Sequence, residues 1–210
     1  MDDRYQFDPV EVRVLGALIE KQALTPDAYP LTLNALLGAC NQLTSREPVM
    51  TLTESRVSAA LDALIAARLV AERLPAGSRV AKYEHRLGWE WRLEGAGLAA
   101  LALLLLRGAQ TSAEIKSRAG RVYPFSGVDE VETALNALAD KYPPLVAKLE
   151  RQPGEREARW MHCLCGEPAA TAPLAGTDGD TGLAGRVAAL EAEVAALKAR
   201  LAALEAQSGD

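Results

Sequence analysis

Val10, Val14, Leu15, Leu18 and Ile19 recur at the three- and four-residue spacing that gathers apolar side chains on one face of a helix. Just ahead of this stripe, Asp8-Pro9-Val10-Glu11 sets an N-cap, a first-turn proline and a capping-box carboxylate in order, so the helix is expected to begin there. Leu33, Leu36, Leu37 and Cys40 trace a second stripe, and Val57, Ala60, Leu61, Leu64 and Ile65, opened by Thr53, trace a third. The period then changes. Leu69–Leu74, the turn Pro75-Ala76-Gly77-Ser78, and Arg79–Leu87 read as a two-stranded hairpin.

The same order returns further along. An apolar helix over Gly97–Arg107 is followed by the capping box Thr111-Ser112-Ala113-Glu114, a helix over Ser126–Asp140 and a hairpin around Gln152-Pro153-Gly154. Ala60-Leu61-Asp62-Ala63-Leu64 matches Ala134-Leu135-Asn136-Ala137-Leu138, Leu69-Val70 matches Leu145-Val146, and Tyr83-Glu84-His85 matches Trp160-Met161-His162. A repeat of about 75 residues is long for a solenoid unit and points to duplication of a small domain. Three helices followed by a hairpin is the winged-helix order. The expected fold is therefore mainly α with small β-hairpins, an α+β protein of two tandem winged-helix domains at residues 1–88 and 89–165.

Beyond Cys165 the composition shifts. Residues 166–185 hold five Gly and two Pro, which reads as a flexible linker over 166–182. Heptads follow over 183–207, with Val187, Val194 and Leu201 at a and Leu190, Leu197 and Leu204 at d, a choice that favours two strands. Parallel pairing opposes Arg186 to Glu191, Glu193 to Lys198 and Arg200 to Glu205, whereas centred antiparallel pairing would set Glu193 against itself. A C-terminal coiled-coil helix that pairs two copies in parallel is expected. The alternative is a single amphipathic helix folded back onto the body.

Composition narrows the class. With 49% apolar and 24% charged residues the chain fits a soluble globular protein. The acidic N-terminus MDDRYQFDP lacks the order of a secretory signal, and the apolar run Ala96–Leu106 falls short of the ~20 residues that span a bilayer. No membrane association and a cytoplasmic location are expected. Three cysteines are too few for a disulfide framework. Lys and Arg number 10 against 11 Asp and Glu over residues 1–88, 10 against 10 over 89–166, and 3 against 7 over 167–210. The body is near neutral, so the overall acidity neither excludes nor establishes a nucleic-acid surface.

The run YPLTLNALLGACNQLTSREPVM, Tyr29 to Met50, with LTESRVSAALDALIAARLV and KYEHRL after it, resembles the YceH-like family of bacterial proteins over roughly residues 8–164. The resemblance implies tandem winged-helix domains and brings no catalytic residues. Its motif residues Asn34, Cys40, Asn41, Gln42, Arg46, Glu47 and Pro48 are read as structural. Cys40 shares the stripe of Leu33, Leu36 and Leu37, so its thiol should enter the core as a small hydrophobe rather than act as a nucleophile. The polar residues after it should form an elbow, longer than the turn of an ordinary helix-turn-helix.

Other chemistry is thin. In His162-Cys163-x-Cys165, strand alternation sets the cysteines on one face and the histidine on the other, so no metal site is expected. Trp89 and Trp91 between the repeats are read as packing rather than as a stacking platform. With no Gly-rich phosphate loop, metal cluster or paired base and nucleophile, neither a cofactor nor an enzyme activity is expected. Double-stranded DNA is the expected partner. Ser55, Arg56 and Ser58 at the start of the third helix would reach base edges, and Arg73, Arg79, Lys82 and Arg86 would set the hairpin on phosphates. The second copy carries Asp129, Glu130 and Glu132 at the equivalent helix start, which would repel phosphate, and places Lys116, Arg118, Arg121, Lys148, Arg151, Arg156 and Arg159 elsewhere. The rival expectation is a protein-interaction adaptor that docks an unidentified protein partner on winged-helix surfaces.

Overall fold

Asp8 starts the first helix as its sequence predicts: Asp8 Oδ1 accepts from the Val10 amide at 2.7 Å, and Glu11 Oε2 accepts from the Asp8 amide at 2.9 Å. The computed structural model describes residues 6–166 apart from 76, 78 and 152. The expected linker beyond Gly166 and the helix at 183–207 lie outside the described residues. Within them the protein is α+β, with seven α-helices, one 3-10 turn and two small antiparallel sheets.

Helix α1 (Pro9–Leu24) is buried at every residue from Val12 to Glu20, so it is a central rod and not a surface helix. A 3-10 turn at Pro26–Ala28 and strand β1 (Leu31–Thr32) lead into α2 (Leu33–Cys40), capped by Thr32, and then α3 (Glu54–Ala66), capped by Thr53. Strands β2 (Val70–Arg73) and β3 (Lys82–His85) close the first copy in the sheet order β1-β3-β2. Strand β1 is an addition to the sequence reading. Two residues are too short to display alternation, and Leu31 finds its partner Tyr83 only through the fold.

A short helix α4 (Leu87–Glu90) joins the copies. The second comprises α5 (Gly95–Arg107), α6 (Ser112–Ala119) under the capping box of Thr111 and Glu114, α7 (Val128–Ala139), and the pair β4 (Val146–Lys148) and β5 (Trp160–His162). The repeated words form repeated contacts. The Leu69 amide donates to Leu64 O and that of Leu145 to Leu138 O; the Arg86 amide donates to Leu69 O and that of Cys163 to Leu145 O. Val70 pairs with His85, and Val146 with His162. The single bridge of Gln110 to Trp160 stands where Leu31 meets Tyr83.

The copies adjoin in sequence at residues 88 and 89, and in space they share one apolar core. Helix α5 is as enclosed as α1, with Ala99–Leu106 all buried, and the two pack directly together. Their closest approach needs Gly16, because a Cβ there would stand 2.9 Å from Leu106 Cγ and 3.1 Å from Leu105 Cβ. The start of the first copy also meets the end of the second: the Phe7 amide donates to Leu164 O at 2.8 Å.

The elbow between α2 and α3, residues 41–53, is strapped to both central helices. The Arg46 guanidinium, fully buried, makes a bidentate pair with Glu20 of α1 at 3.0 and 2.6 Å, and its remaining donors reach Ala39 O and Ser45 O. Burial pushes the Glu20 carboxyl up, but the hydrogen bonds and charge of Arg46, with Lys21 nearby, hold it below the ordinary carboxylate value. Arg13 of α1 donates to Cys40 O at 3.2 Å and to Pro48 O at 2.6 Å. From the other side, the Glu47 amide donates to Leu106 O at 2.8 Å and Arg107 to Ser45 Oγ at 2.6 Å.

Removing either partner of the Arg46–Glu20 pair strands a buried charge. Arg46→Ala and Glu20→Ala should each cost about 3–5 kcal/mol in urea unfolding, and the double variant clearly less than the sum. Additive losses would show that the two groups do not interact.

The chain's only two histidines, His85 and His162, are equivalent in the two copies and buried, which pushes both down to about 4 from an ordinary 6.5. Above pH 6.5 both rings are neutral whether folded or not. Between 6.5 and 4 only the unfolded chain takes up protons, so stability present above 6.5 is lost as pH falls. The expected slope is about 1.4 kcal/mol per pH unit for each histidine, and His85→Gln should halve the total over pH 6 to 5. A flat profile there would contradict the burial of neutral rings.

Candidate nucleic-acid interface

Helix α3 turns Val57, Ala60, Leu61 and Leu64 inward, where it packs on α1, α2 and β2. That leaves Ser55 and Arg56 on the outer face at its N-terminus, with Ser58 half-buried between. The elbow fixes where this helix starts. The Asn41 carboxamide donates to Leu52 O at 2.9 Å and accepts from the Leu52 amide at 2.8 Å, gripping the backbone one residue before the Thr53 cap. The Arg56 side chain is 63% exposed, with Asp8 Oδ1 3.9 Å away, a separation at which an exposed pair contributes little.

On the hairpin, Arg73 stands opposite Lys82 in the register and reaches diagonally to Glu84, with contacts of 2.8 Å through Nε and 2.7 Å through Nη2. Arg86 lies 3.9 Å from Glu90 across one turn of α4. Arg79, exposed, and Lys82, half-buried, have no acidic partner among the described residues. Of the four hairpin cations read from the sequence, the fold therefore leaves two without an acidic partner and engages two.

In the second copy Arg118, Lys148 and Arg159 pair with carboxylates, whereas Lys116, Arg121, Arg151 and Arg156 are exposed and meet no acidic partner among the described residues. Glu130 accepts from Tyr123 Oη, Ser126 N and Ser126 Oγ at 2.7–2.9 Å, which makes it a fastener for the start of α7. Ser112 Oγ donates to Glu132, which also lies 3.6 Å from Lys148 Nζ. Arg159 bridges Glu155, Glu114 and Ala109 O, and Arg118 reaches Gln110 and Glu114.

The motif residues divide. Cys40 is sealed in the core, with its thiol pushed up to about 12 by burial, so it stays protonated and unreactive at neutral pH. Asn41, Arg46, Glu47 and Pro48 carry the elbow contacts through side chain or backbone. Asn34 is exposed and Gln42 half-buried, and neither side chain makes a hydrogen bond among the described residues. Cys163 is buried and Cys165 exposed; among the described residues no group of three His, Cys, Asp or Glu side chains could hold a metal ion. Trp91 packs against the core as expected, but Trp89 of α4 does not: it is 79% exposed. The sequence carried no signal for the Glu20–Arg46 pair, whose members stand far apart along the chain.

Among the described residues no helix is long and apolar enough to cross a membrane. A family model described as a protein of unknown function, DUF480, matches residues 7–155. A UPF0502 protein of Chromobacterium violaceum is 78% identical over 91% of this chain and 87% of its own length. UPF0502 proteins of Azoarcus and Janthinobacterium are each 52% identical, over 91% and 89% of this chain and 86% and 82% of theirs. With the family's motif built into the elbow and relatives matching across both copies, the chain belongs to the DUF480 family of UPF0502 proteins, the YceH-like family that Tyr29–Met50 resembles.

Proposed function

We propose that this chain is a non-enzymatic, regulator-like protein of two winged-helix copies that binds duplex DNA through the first. The observation that carries the reading is an outward-facing α3 N-terminus with Ser55 and Arg56, beside a hairpin whose Arg79 and Lys82 have no acidic partner among the described residues. The order helix, strand, two helices and hairpin, with sheet order β1-β3-β2, supports the winged-helix assignment. In the docked state Arg56 and Ser55 meet base edges in the major groove, and Arg79 and Lys82 meet phosphates. Arg73 and Arg86 can join them, since breaking an exposed ion pair costs no more than about 1 kcal/mol. Self-association through residues 183–207 would present two such surfaces to one duplex, raising avidity without new contacts.

The second reading is a protein-docking adaptor, favoured by Leu43, 80% exposed on the rigid elbow, and Tyr142, 85% exposed after α7. A salt series on mixed-sequence duplex DNA separates the two. The DNA reading expects affinity to fall steeply with salt, and the Arg79→Ala, Lys82→Ala double variant to flatten the log–log slope by about 2. Absence of binding at low ionic strength would overturn it in favour of the adaptor. In sedimentation, deletion of residues 183–210 should convert a dimer to a monomer, and an unchanged mass would remove self-association from the proposal.

A further inference from the structure

A cleft of about 520 Å³ opens where the first copy passes the chain to the second, bounded by the hairpin, the last turns of α1, α4 and the start of α5. Its size falls within the ~300–1,000 Å³ of small-molecule sites. Trp89 lines it and is mostly exposed. The backbone beneath that indole is helical, with the Trp89 amide donating to Arg86 O at 2.9 Å, so its exposure is set by α4 and not by a slack loop. Leu93 and Leu98 add apolar lining.

The charges around the indole are few and of both signs. Glu94 occupies the N-cap position of α5, yet its side chain caps nothing and meets no cation among the described residues. Arg86 has only Glu90, at 3.9 Å. The Arg73–Glu84 pair at the hairpin side neutralises itself. On the same wall, His85 Nε2 and Gln22 Oε1 are 2.7 Å apart; since the amide oxygen only accepts, Nε2 carries the proton, and the buried Nδ1 is left as an acceptor without a partner.

We propose that this cleft binds a small ring-bearing zwitterion of the aromatic amino acid class, its ring on Trp89, its carboxylate at Arg86 and its ammonium at Glu94. Arg86 and Glu94, one cation and one anion lining the same cleft as the indole, complement a ligand with one of each. A phosphorylated ligand would instead meet the carboxylate of Glu94. Covering the indole removes a large apolar surface from water, and an ammonium near its face gains a cation–π contribution. The proposal does not depend on DNA binding.

Calorimetric titration of the full chain with L-phenylalanine tests it, against L-alanine, phenylacetate and phenethylamine, which lack the ring, the ammonium and the carboxylate in turn. L-Phenylalanine is expected to saturate with a Kd below about 1 mM and each partial ligand to bind about tenfold more weakly or worse. Trp89→Ala and Glu94→Gln should each lose about tenfold or more with unchanged thermal melting, since both side chains lie at the surface. If Trp89→Ala lowers the melting temperature, Glu94→Gln alone decides. Lack of saturable binding by the wild type, equal binding of the partial ligands, or variants that bind as well as the wild type would overturn the assignment.

Discussion

A helix buried on every side cannot be stable until something encloses it, and the described residues contain two, α1 and α5. In each copy the two flanking helices and the sheet cover part of the central rod, and the remaining face of α1 is covered by α5, that of α5 by α1. The contact is close because position 16 has no side chain to hold the helices apart. Burial of this kind contributes about 25 cal/mol per Å² of apolar surface, and it joins the two repeated stretches in one apolar core.

The elbow is the polar counterpart of that apolar contact. Pro48 of the elbow turns its main-chain carbonyl toward the buried Arg13 of α1, and Arg46 enters the core itself to pair with Glu20. A guanidinium taken out of water is tolerated only when its donors are met, and here Glu20, Ala39 and Ser45 meet them. Because the same segment also touches Leu106 and Arg107 of α5, it fixes the start of α3 relative to both copies. The geometry of the candidate interface thus descends from a loop that sequence alone presents as a string of turn residues. The second copy, with its shorter connection at 120–127, fastens the start of α7 through Glu130, which accepts from Tyr123 and Ser126 of that connection. Arg118, Lys148 and Arg159 of the second copy are engaged with carboxylates, but its exposed Lys116, Arg121, Arg151 and Arg156, like Arg79 and Lys82 of the first, meet no acidic partner among the described residues.

Much of the architecture was legible in the chain. Helices begin at Asp8, Thr53 and Thr111 because their side chains meet amides two or three residues on, which is a local event. Cys40 is in the core because it lies on the α2 stripe with Leu36. The elements that went unread are those whose evidence is remote: β1 pairs across some fifty positions, and α4 is a single turn without a stripe. Trp89 illustrates the limit. Its hydrophobicity argued for packing, and only the tertiary structure shows it exposed on α4.

The candidate interface divides the same way. That Arg56 would face outward at the head of α3 follows from helical period, since the inward positions are already occupied by Val57, Ala60 and Leu61. Which cations remain without acidic partners does not follow from the sequence, because an ion pair depends on distance through space. Arg73 meets Glu84 through strand register, and Arg46 meets Glu20 through the folding of the elbow onto α1. Period, caps and the duplicated words are properties of neighbours along the chain, and the sequence determined those. The shared core, the buried ion pair and the exposed indole are properties of segments brought together from far apart, and only the tertiary structure could decide them.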